Sequence, residues 1–357
     1  MRAWLVHADA GRREKEYQMF KAAIIGGSGY TGGELARLLC RHPRIDLEAV
    51  TSRQLAGTKV AKIHGNLEGF VDLDFVEGLP KEGKFDIIFV ATPHGASMDI
   101  VPGLLKKKTK IIDLSGDYRL RDPETYKQWY GLEHKDAGNL GKAVYGIPEL
   151  FGKEIAKARL VANPGCYPTC ASLGLAPLFA NGLVEGSAIV DAKSGTSGAG
   201  QEPTKMTHHA TCGASLIPYK VSCHRHTPEI KMVLDRLASS SVEVVFTPHL
   251  MPIVRGMLCT SYVRLKKDAS KEELLAIYSK FYGKGGFVRM VQSPSIPSVV
   301  GSNYCEVGLE KACGRNLVVM SVLDNLVKGG SGQAVQNANL MLGLPQEMGL
   351  DFPGLGV

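Results

Sequence analysis

The stretch Ala22-Ala23-Ile24-Ile25-Gly26-Gly27-Ser28-Gly29-Tyr30-Thr31-Gly32-Gly33 decides the fold of this chain. Its apolar residues predict a buried strand, its glycines a tight turn, and the leucine-rich periodic run behind it a helix. Glycines let a backbone approach a pyrophosphate closely, and the positive end of a helix dipole faces that charge. The spacing, Gly26-x-x-Gly29-x-x-Gly32, differs from the usual G-x-G-x-x-G, so a plain tight turn is the alternative. The stretch therefore predicts a dinucleotide-binding unit.

The end of the next predicted strand, Ile45 to Val50, indicates which dinucleotide is bound. Folds that bind NAD usually place an Asp or Glu there for the ribose hydroxyls. This chain has Thr51-Ser52-Arg53-Gln54, with no acid and one guanidinium. A guanidinium favours the 2′-phosphate of NADP, although a solvated loop arginine would leave the same pattern.

Strands and helices then alternate along the chain. Phe85 to Ala91 and Lys110 to Leu114 have the pattern of parallel strands, and Ala96 to Lys106 between them has that of a helix. The alternation predicts a doubly wound parallel sheet. Such sheets bind ligands beyond the carboxyl ends of their strands. Thr92 to Gly95 and Ser115 to Arg121 follow two of these ends.

Two arginines in the second of these segments are candidate anion clamps. Arg119 and Arg121 each offer a guanidinium, which binds carboxylate or phosphate in a bidentate manner. Ion pairs with the neighbouring Asp117 or Asp122 would explain them equally well.

Cys166 is the candidate nucleophile. It lies in Asn163-Pro164-Gly165-Cys166-Tyr167-Pro168-Thr169-Cys170, between the strand-like run Leu160 to Ala162 and a helical pattern. Pro168 suits the first turn of that helix, which places Cys166 at its N-terminus. Unpaired N–H groups and the helix dipole favour a thiolate there. A small buried hydrophobe is the ordinary alternative for a cysteine.

A second glycine-rich loop, Ser194 to Gly200, follows the apolar strand Ala188 to Lys193. Such a loop can present backbone N–H groups to a substrate or to a nicotinamide. A flexible linker is the alternative, but the position at the end of an apolar strand argues against it.

The segment His224-Arg225-His226-Thr227-Pro228-Glu229 supplies a candidate acid/base. Thr227 and Pro228 are favourable at a helix start, so His226 lies just before a helix and Glu229 one turn along it. A histidine with a carboxylate partner is typical of general acid/base catalysis. Zinc binding by the two histidines is the rival, but no matching Cys or His pair supports it, and we predict no metal.

The rest of the chain predicts a second sheet. Strands are expected at Val242 to Phe246, Thr260 to Leu265 and Leu317 to Leu323, and helices at Ser270 to Tyr282 and Ser331 to Leu342. The alternation of Tyr262, Arg264 and Lys266 with apolar residues predicts that one face of this sheet is wet.

Composition excludes several classes of protein. A chain of 357 residues is too long for one ordinary core, so two domains are expected. The net charge of +7 is mild, and no Lys/Arg block is interleaved with aromatics, which argues against nucleic-acid binding. No apolar run reaches the ~18 residues that span a membrane. The 8 cysteines have no regular spacing, so reduced thiols and a cytoplasmic location are expected.

Residues 1–18 fit neither a signal peptide nor a transit peptide. They contain Asp9, Glu14 and Glu16 and lack an apolar core. We expect a disordered leader or a start codon assigned too far upstream.

Together these motifs closely resemble those of the N-acetyl-gamma-glutamyl-phosphate reductases, the arginine-pathway branch of the semialdehyde dehydrogenase superfamily. The resemblance extends from about Lys21 to the C-terminus. It rests on motifs in the family's order: Gly26 to Gly33, Ser115 to Leu120, Asn163 to Thr169, Lys193 to Gly200, His224 to Glu229, Pro248 to Met257, Gly301 to Tyr304 and Asp324 to Gly332.

The resemblance implies roles for individual residues. Cys166 would be the nucleophile and His226 the base, oriented by Glu229. The residues implied in NADP binding are Gly26, Ser28, Gly29, Tyr30, Thr31, Ser52, Arg53, Gln54 and Asn325. The residues implied to contact substrate are Arg119, Ser194, Ser197, His224 and Arg225.

The implied reaction is the NADPH-dependent reduction of N-acetyl-L-glutamyl 5-phosphate to N-acetyl-L-glutamate 5-semialdehyde in arginine biosynthesis. It would pass through a thioester on Cys166 and release phosphate. Ser52-Arg53 also resembles the lysine-pathway reductases, which act on a carrier-bound aminoadipyl phosphate, so that branch is an alternative. A non-catalytic NADP-binding sensor protein is another.

The implied fold is α/β, with a Rossmann-type NADP-binding domain and an α+β domain for catalysis and oligomerisation. We expect the first at residues 19–165 and 325–357, and the second, with a mixed or antiparallel sheet, at 166–324. The superfamily commonly forms dimers or tetramers through its second domain. A homodimer or homotetramer is therefore expected, with no nucleic-acid or membrane partner.

Overall fold

The computed structural model of the chain describes residues 18–80, 82–283 and 285–356. The prediction made for residues 1–18 lies outside these ranges except at Gln18. Within them, no helix is long and apolar enough to cross a membrane.

The first half of the chain forms a seven-stranded sheet in which every pair of neighbouring strands is parallel. Its strands are β1 (Phe20–Ile25), β2 (Ile45–Thr51), β3 (Phe75–Val76), β4 (Ile87–Val90), β5 (Lys110–Asp113), β6 (Ala143–Tyr145) and β7 (Leu160–Ala162). Their order is β3-β2-β1-β4-β5-β7-β6. The direction of winding reverses between β1 and β4, which opens a crevice at the carboxyl ends of these two strands.

A second seven-stranded sheet, of mixed direction, occupies the later part of the chain. Its strands are β8 (Val184–Ser194), β9 (Ile217–Pro218), β10 (Val244–Leu250), β11 (Met257–Leu265), β12 (Val288–Met290), β13 (Cys305–Lys311) and β14 (Asn316–Leu323). Their order is β12-β13-β14-β11-β8-β10-β9. The predicted fold class, a Rossmann-type sheet with a second, mixed sheet, is confirmed.

Helices connect and cover the two sheets. They are α1 (Tyr30–Leu39), α2 (Val60–Ile63), α3 (Ser97–Leu105), α4 (Pro123–Tyr130), α5 (Ala137–Leu140), α6 (Pro148–Ile155), α7 (Cys166–Ala180), α8 (His209–Cys212), α9 (Thr227–Ala238), α10 (Lys271–Tyr282), α11 (Ile296–Val299) and α12 (Gly332–Met341). Ser270 and Glu273 form a capping box that starts α10 where the sequence predicts it.

Several predicted strands have different bounds in the structure; β11, for example, begins at Met257 rather than at Thr260. The strand predicted at Val242 to Phe246 is β10, which begins at Val244 and continues to Leu250. Pro248 interrupts the apolar pattern, yet its lack of an N–H is tolerated because β10 has only the two-residue strand β9 on its outer side.

The second sheet has one covered face and one open face. Along β11, Met257, Cys259, Ser261 and Val263 are buried, whereas the residues between them are partly or fully exposed. On the open face Tyr262 is 44% exposed and Ile189 is 45% exposed. The predicted wet face is confirmed, although it carries large apolar side chains as well as polar ones.

Helix α7 joins the two halves of the molecule. It leaves the carboxyl end of β7 and packs against β11 and β14 of the second sheet. Every residue from Tyr167 to Phe179 is buried. A helix that is apolar all round is stable only inside a protein, so α7 is the central element of the core and its N-terminus is fixed.

The chain returns to the first sheet after β14. A π-helical turn, Val327–Ser331, precedes α12. Asn337 of α12 donates hydrogen bonds to the carbonyl of Gly146 and to Asn163 Oδ1. The predicted helix Ser331 to Leu342 is therefore confirmed in α12, with a wider turn in front of it.

Candidate active site

Many of the predicted site residues converge where the two sheets meet. A cavity of about 490 Å³ is lined by Cys166, His226 and Arg225 together with the α1 turn and the end of β14. A smaller cavity of about 250 Å³ shares the same three residues and continues toward the second sheet.

The two cavities divide the predicted residues between them. The larger one is also lined by Gly29, Tyr30, Thr31, Arg119, Ser197 and Asn325. The smaller one is also lined by Ser194 and His224. Neither cavity is lined by Gly26, Ser28, Ser52, Arg53, Gln54 or Glu229.

Cys166 is the first residue of α7, after the N-cap Gly165. Burial raises the pKa of its thiol to about 11, although the backbone N–H of Tyr167 and the Arg119 guanidinium favour the thiolate. The helix N-terminus was expected to favour a thiolate, and the N–H of Tyr167 does act in that direction, but burial has the larger effect. The thiol therefore stays protonated near neutral pH, and Cys166 needs a base.

Two glycines permit close packing around Cys166. A Cβ on Gly165 would lie 2.4 Å from Nε2 of His226. A Cβ on Gly329, in the π-helical turn, would lie 2.8 Å from Cβ of Cys166. Real Cβ atoms do not approach this closely, so only glycine at these positions allows the histidine and the turn to reach the cysteine.

His226 is a neutral base in this setting. Burial, together with the positive charges of Arg225 and Arg119 and the neighbouring His224, holds the pKa of its imidazole well below 6.5. Its backbone N–H donates to Nδ1 of His224 at 3.1 Å. Its own Nδ1 is buried and has no hydrogen-bond partner among the described residues. A neutral, incompletely bonded imidazole is able to accept a proton.

Glu229 is completely buried in the first turn of α9 and receives three hydrogen bonds. The donors are Arg119 at 3.2 Å, the Tyr145 hydroxyl at 2.8 Å and the backbone N–H of Gly165 at 3.1 Å. His226 Nε2 lies 3.8 Å from the carboxylate, which is longer than a hydrogen bond. In this structure Glu229 holds the backbone beside Cys166 directly and contacts the histidine only electrostatically.

The predicted arginines have different environments. Arg119 is nearly buried and donates to the carbonyls of Asn163 and Leu114 as well as to Glu229. Arg225 lies 6.0 Å above the Tyr130 ring and has no ion pair among the described residues. Arg121 is exposed and lines a separate cavity. Arg225 is therefore the cation with the most capacity left for an anionic ligand.

His94 was noted only as part of a loop, yet it lines the larger cavity. Its Nδ1 accepts the backbone N–H of Gly116 at 2.8 Å. Burial, Arg225 and Arg119 lower the pKa of His94 to about 3, so the ring is neutral with its proton on Nε2. His224 is also neutral, since burial and the charges of Arg225 and Lys220 lower its pKa to about 3.

Tyr145 is a contact that the sequence analysis missed. It ends β6, a strand of three residues that leaves no recognisable pattern. Its position at the carboxyl end of a strand was the only feature of the sequence that could have indicated a role in the site.

The glycine-rich turn after β1 has the geometry that a dinucleotide requires. Gly26 has a φ of +84°, and a Cβ there would lie 2.8 Å from the Ala91 carbonyl oxygen. No side chain caps the N-terminus of α1, and its first turn contains no acid. Nothing lies within 4 Å of the Cβ position at Gly29. The unpaired N–H groups of α1 thus face open space.

Arg53 follows the end of β2 in an exposed position. It has no ion-pair partner among the described residues. The nearby Ser52 is buried, and Gln54 is exposed. This exposed cation is free to bind a phosphate on an adenosine ribose.

Asn325 and Ser197 connect the two glycine-rich loops. Asn325 donates to the Ser197 hydroxyl at 2.9 Å and accepts the backbone N–H of Gly256 at 2.7 Å. Ser194 donates to the Gly195 carbonyl at 3.1 Å. Over the described ranges, no group of three His, Cys, Asp or Glu residues could hold a metal ion.

Comparison with known proteins assigns the chain to a family. The profile of the semialdehyde dehydrogenase NAD binding domain matches residues 21–158, and that of the semialdehyde dehydrogenase dimerisation domain matches residues 166–325. An N-acetyl-gamma-glutamyl-phosphate reductase of Methanococcus maripaludis (strain C7) is 47% identical over 94% of this chain and 99% of its own. One from Moorella thermoacetica is also 47% identical, with the same coverage.

The chain belongs to the N-acetyl-gamma-glutamyl-phosphate reductase family. Solved structures of more distant semialdehyde dehydrogenases share its fold. Aspartate semialdehyde dehydrogenase II of Vibrio cholerae superposes with a TM-score of 0.70 at 16% identity, over 91% of this chain and 98% of its own. The enzyme of Candida albicans, solved with NADP, superposes with a TM-score of 0.67 at 13% identity, over 91% of this chain and 99% of its own.

Proposed function

We propose that the chain reduces N-acetyl-L-glutamyl 5-phosphate to N-acetyl-L-glutamate 5-semialdehyde with NADPH, in arginine biosynthesis. The observation that carries the proposal is the pairing of Cys166 with a neutral His226 in one cavity with the uncapped N-terminus of α1. The identity of 47% to reductases of this name supports the choice of substrate.

The residues of the first domain fit NADP. The backbone of Gly29, Tyr30 and Thr31 would hold the pyrophosphate, and Arg53 the 2′-phosphate. Asn325, held between Ser197 and Gly256, would lie at the nicotinamide end. NADPH supplies a hydride to the acyl carbon when it is bound.

The first half of the reaction makes a thioester. Cys166 gives its proton to His226, and the sulfur attacks the acyl carbon of the substrate. The bond from that carbon to the phosphate oxygen breaks, and phosphate leaves with the electron pair. Arg225 forms no ion pair within the described part of the chain and would bind the departing phosphate.

The second half releases the aldehyde. After reduction of the thioester, the carbonyl oxygen of the acyl group carries a negative charge. The N–H groups of Cys166 and Tyr167 are not used within α7 and would stabilise this oxyanion. The carbon–sulfur bond then breaks, and the cysteine recovers its proton from His226. Glu229 would position Cys166 through its hydrogen bonds with the backbone of Gly165 and with Arg119.

The reverse reaction tests the proposal. Purified protein is given N-acetyl-glutamate semialdehyde, NADP and inorganic phosphate, and NADPH formation is followed by absorbance. We expect turnover that requires phosphate and is lost in Cys166→Ser, while Cys223→Ser, a change at an exposed cysteine, retains it. Turnover only on aspartate semialdehyde or on an aminoadipyl analogue would refute the substrate assignment. Retained activity in Cys166→Ser would refute the thioester route.

We also propose a homodimer or homotetramer in the cytoplasm, with the domain boundaries near residues 165 and 325. The match to a dimerisation domain supports a homo-oligomer. Eight free cysteines support a reducing compartment.

A further inference from the structure

Two buried carboxylates lie behind the active-site turn. Asp113 ends β5 and Asp117 lies in the turn that follows it, and both are fully buried. Ser115, between them in sequence, and Ser97, at the start of α3, are buried with them. None of these residues lines the cavity that contains Cys166 except Ser115.

Four side-chain oxygens form a continuous chain of short contacts. Ser115 Oγ lies 2.8 Å from Asp113 Oδ2 and 3.0 Å from Ser97 Oγ. Ser97 Oγ in turn lies 2.8 Å from Asp117 Oδ2. Three successive contacts therefore link Asp113, Ser115, Ser97 and Asp117, beside a longer one of 3.2 Å from Ser97 Oγ to Asp113 Oδ2, but the two serines supply only two hydroxyl protons. With both carboxylates ionised, one contact would bring two oxygens together without a hydrogen between them.

The missing proton belongs on Asp113. Asp117 accepts the Tyr126 hydroxyl at 2.8 Å and the backbone N–H of Gly95 at 2.9 Å in addition to Ser97, which is the pattern of an ionised carboxylate. Apart from the serine hydroxyls, Asp113 has one donor, the backbone N–H of Ser115, whereas Asp117 has two.

We infer that Asp113 is protonated at weakly acid pH and donates to Ser115, which donates to Ser97, which donates to Asp117. Every contact in the chain then contains one hydrogen. The proton makes Asp113 a positioning residue, because this series of hydrogen bonds connects both ends of the turn 115–117 to Ser97 of α3.

The turn controls two cavity residues. The N–H of Gly116 donates to His94 Nδ1 and so fixes the tautomer of that ring. Arg119, two residues beyond Asp117, reaches Glu229 and the carbonyl of Asn163 from this turn. Under the proposed function, a displaced turn would weaken binding of the acyl phosphate.

The surrounding charges are consistent with a shared proton. Burial and the negative charge of Asp117 raise the pKa of Asp113 to about 7, against the effects of Ser115 and Arg119. Tyr118 and Tyr126 face the pair, and burial raises the pKa of both phenols, so they stay neutral. His134 packs on both tyrosine rings and contacts the carbonyl of Asp117.

The direction of the pH effect follows from these groups. Because the folded pKa of Asp113 lies above its unfolded value, its contribution to stability is complete at acid pH and is lost as pH rises through about 7. Above that pH the chain lacks a donor and two negative charges face each other, so the turn 115–117 loosens.

Infrared spectroscopy of the unliganded protein tests the proton directly. A protonated carboxyl gives a C=O band that an ionised one lacks. We expect this band in wild type at pH 6, its loss with a midpoint near pH 7, and its absence in Asp113→Asn. The matched control is Asp99→Asn, at an exposed residue of α3 paired with Lys135. No band in wild type, or a band that persists in Asp113→Asn, overturns the inference.

Kinetics test the positioning role. In wild type we expect KM for the acyl phosphate to rise several-fold between pH 6.5 and 8.5, with a smaller change in kcat. In Asp113→Asn we expect no such rise, because the amide stays neutral and can still donate a hydrogen bond. The same rise in wild type and in the variant would overturn it. If the proposed substrate is wrong, neither wild type nor any variant will turn it over. The infrared band and the Tm would then decide the inference. We expect Tm to fall from pH 6 to 8 in wild type and to fall less in Asp113→Asn.

Discussion

At the scale of single residues, the chemistry depends on a cysteine that is not activated in advance. The helix N-terminus and Arg119 favour the thiolate, but burial has the larger effect and leaves the thiol protonated near neutral pH. Under the proposed mechanism, the proton therefore moves to His226 as the substrate is attacked. Coupling the two events keeps a reactive thiolate from being exposed to oxidants when no substrate is present.

The raised thiol pKa can be measured by alkylation. We expect the rate of iodoacetamide modification of Cys166 to be slow at pH 7 and to increase about tenfold per pH unit up to about pH 10, since only the thiolate reacts. Mass spectrometry of the peptide containing Cys166 separates it from the exposed Cys223 and Cys313. A rate that levels off below pH 8 would contradict the assignment and restore the helix dipole as the dominant effect.

At the scale of secondary-structure elements, the site depends on turns that begin or end helices. Cys166 starts α7, His226 caps α9, and the π-helical turn 327–331 brings Gly329 against the cysteine. Turns of this kind carry unused backbone groups and are common at functional sites. Lys328 fixes this one, because its fully buried amine contacts Glu149 at 2.6 Å and Gln336 at 2.7 Å.

Removing the Lys328 amine should destabilise the protein substantially. We expect Lys328→Met to lower the free energy of unfolding by about 3–5 kcal/mol, because Glu149 is left as an uncompensated buried charge. Urea titration measures the loss. Adding Glu149→Leu should recover part of it, whereas Lys271→Met, at a half-exposed ion pair with Glu310, should cost less than about 1 kcal/mol. An equal loss in both single variants would contradict the buried pair.

Only some of these elements and their roles could be predicted from the sequence. The strand, glycine turn and helix from Ala22 to Leu39 could be predicted because local spacing alone defines them. The role of Tyr145 could not, since its hydroxyl meets Glu229 across 84 positions of sequence and its strand is three residues long. The protonated Cys166 was missed for a related reason. A helix start is visible in sequence, but the degree of burial depends on the second sheet and on the π-helical turn.

At the scale of the whole molecule, the open face of the second sheet needs an explanation. Ile189, Val245 and Tyr262 are each more than two-fifths exposed on strands whose other face is mostly buried. Apolar side chains of this size on one flat face are typical of an interface between subunits. The matching dimerisation domain includes these strands.

A charge placed on this face should disrupt assembly. We expect Tyr262→Asp to shift the protein from an oligomer to a smaller species in light scattering, because a buried unpaired carboxylate opposes association. Phe70→Asp, at an even more exposed residue outside this sheet, should leave the mass unchanged. A wild-type mass equal to that of one chain, or an unchanged mass in Tyr262→Asp, would contradict an interface here.

The path of the chain has a consequence for its synthesis. The polypeptide leaves the first sheet after β7, builds the second, and returns through the π-helical turn and α12, which binds back to Gly146 and Asn163. On the ribosome, the first sheet therefore emerges long before the helix that completes it. A nascent chain halted anywhere before residue 341 would lack the wall of the site beside Cys166 or the packing behind it. The surroundings of Cys166, the proposed nucleophile, are thus complete only after both sheets and α12 have been synthesised.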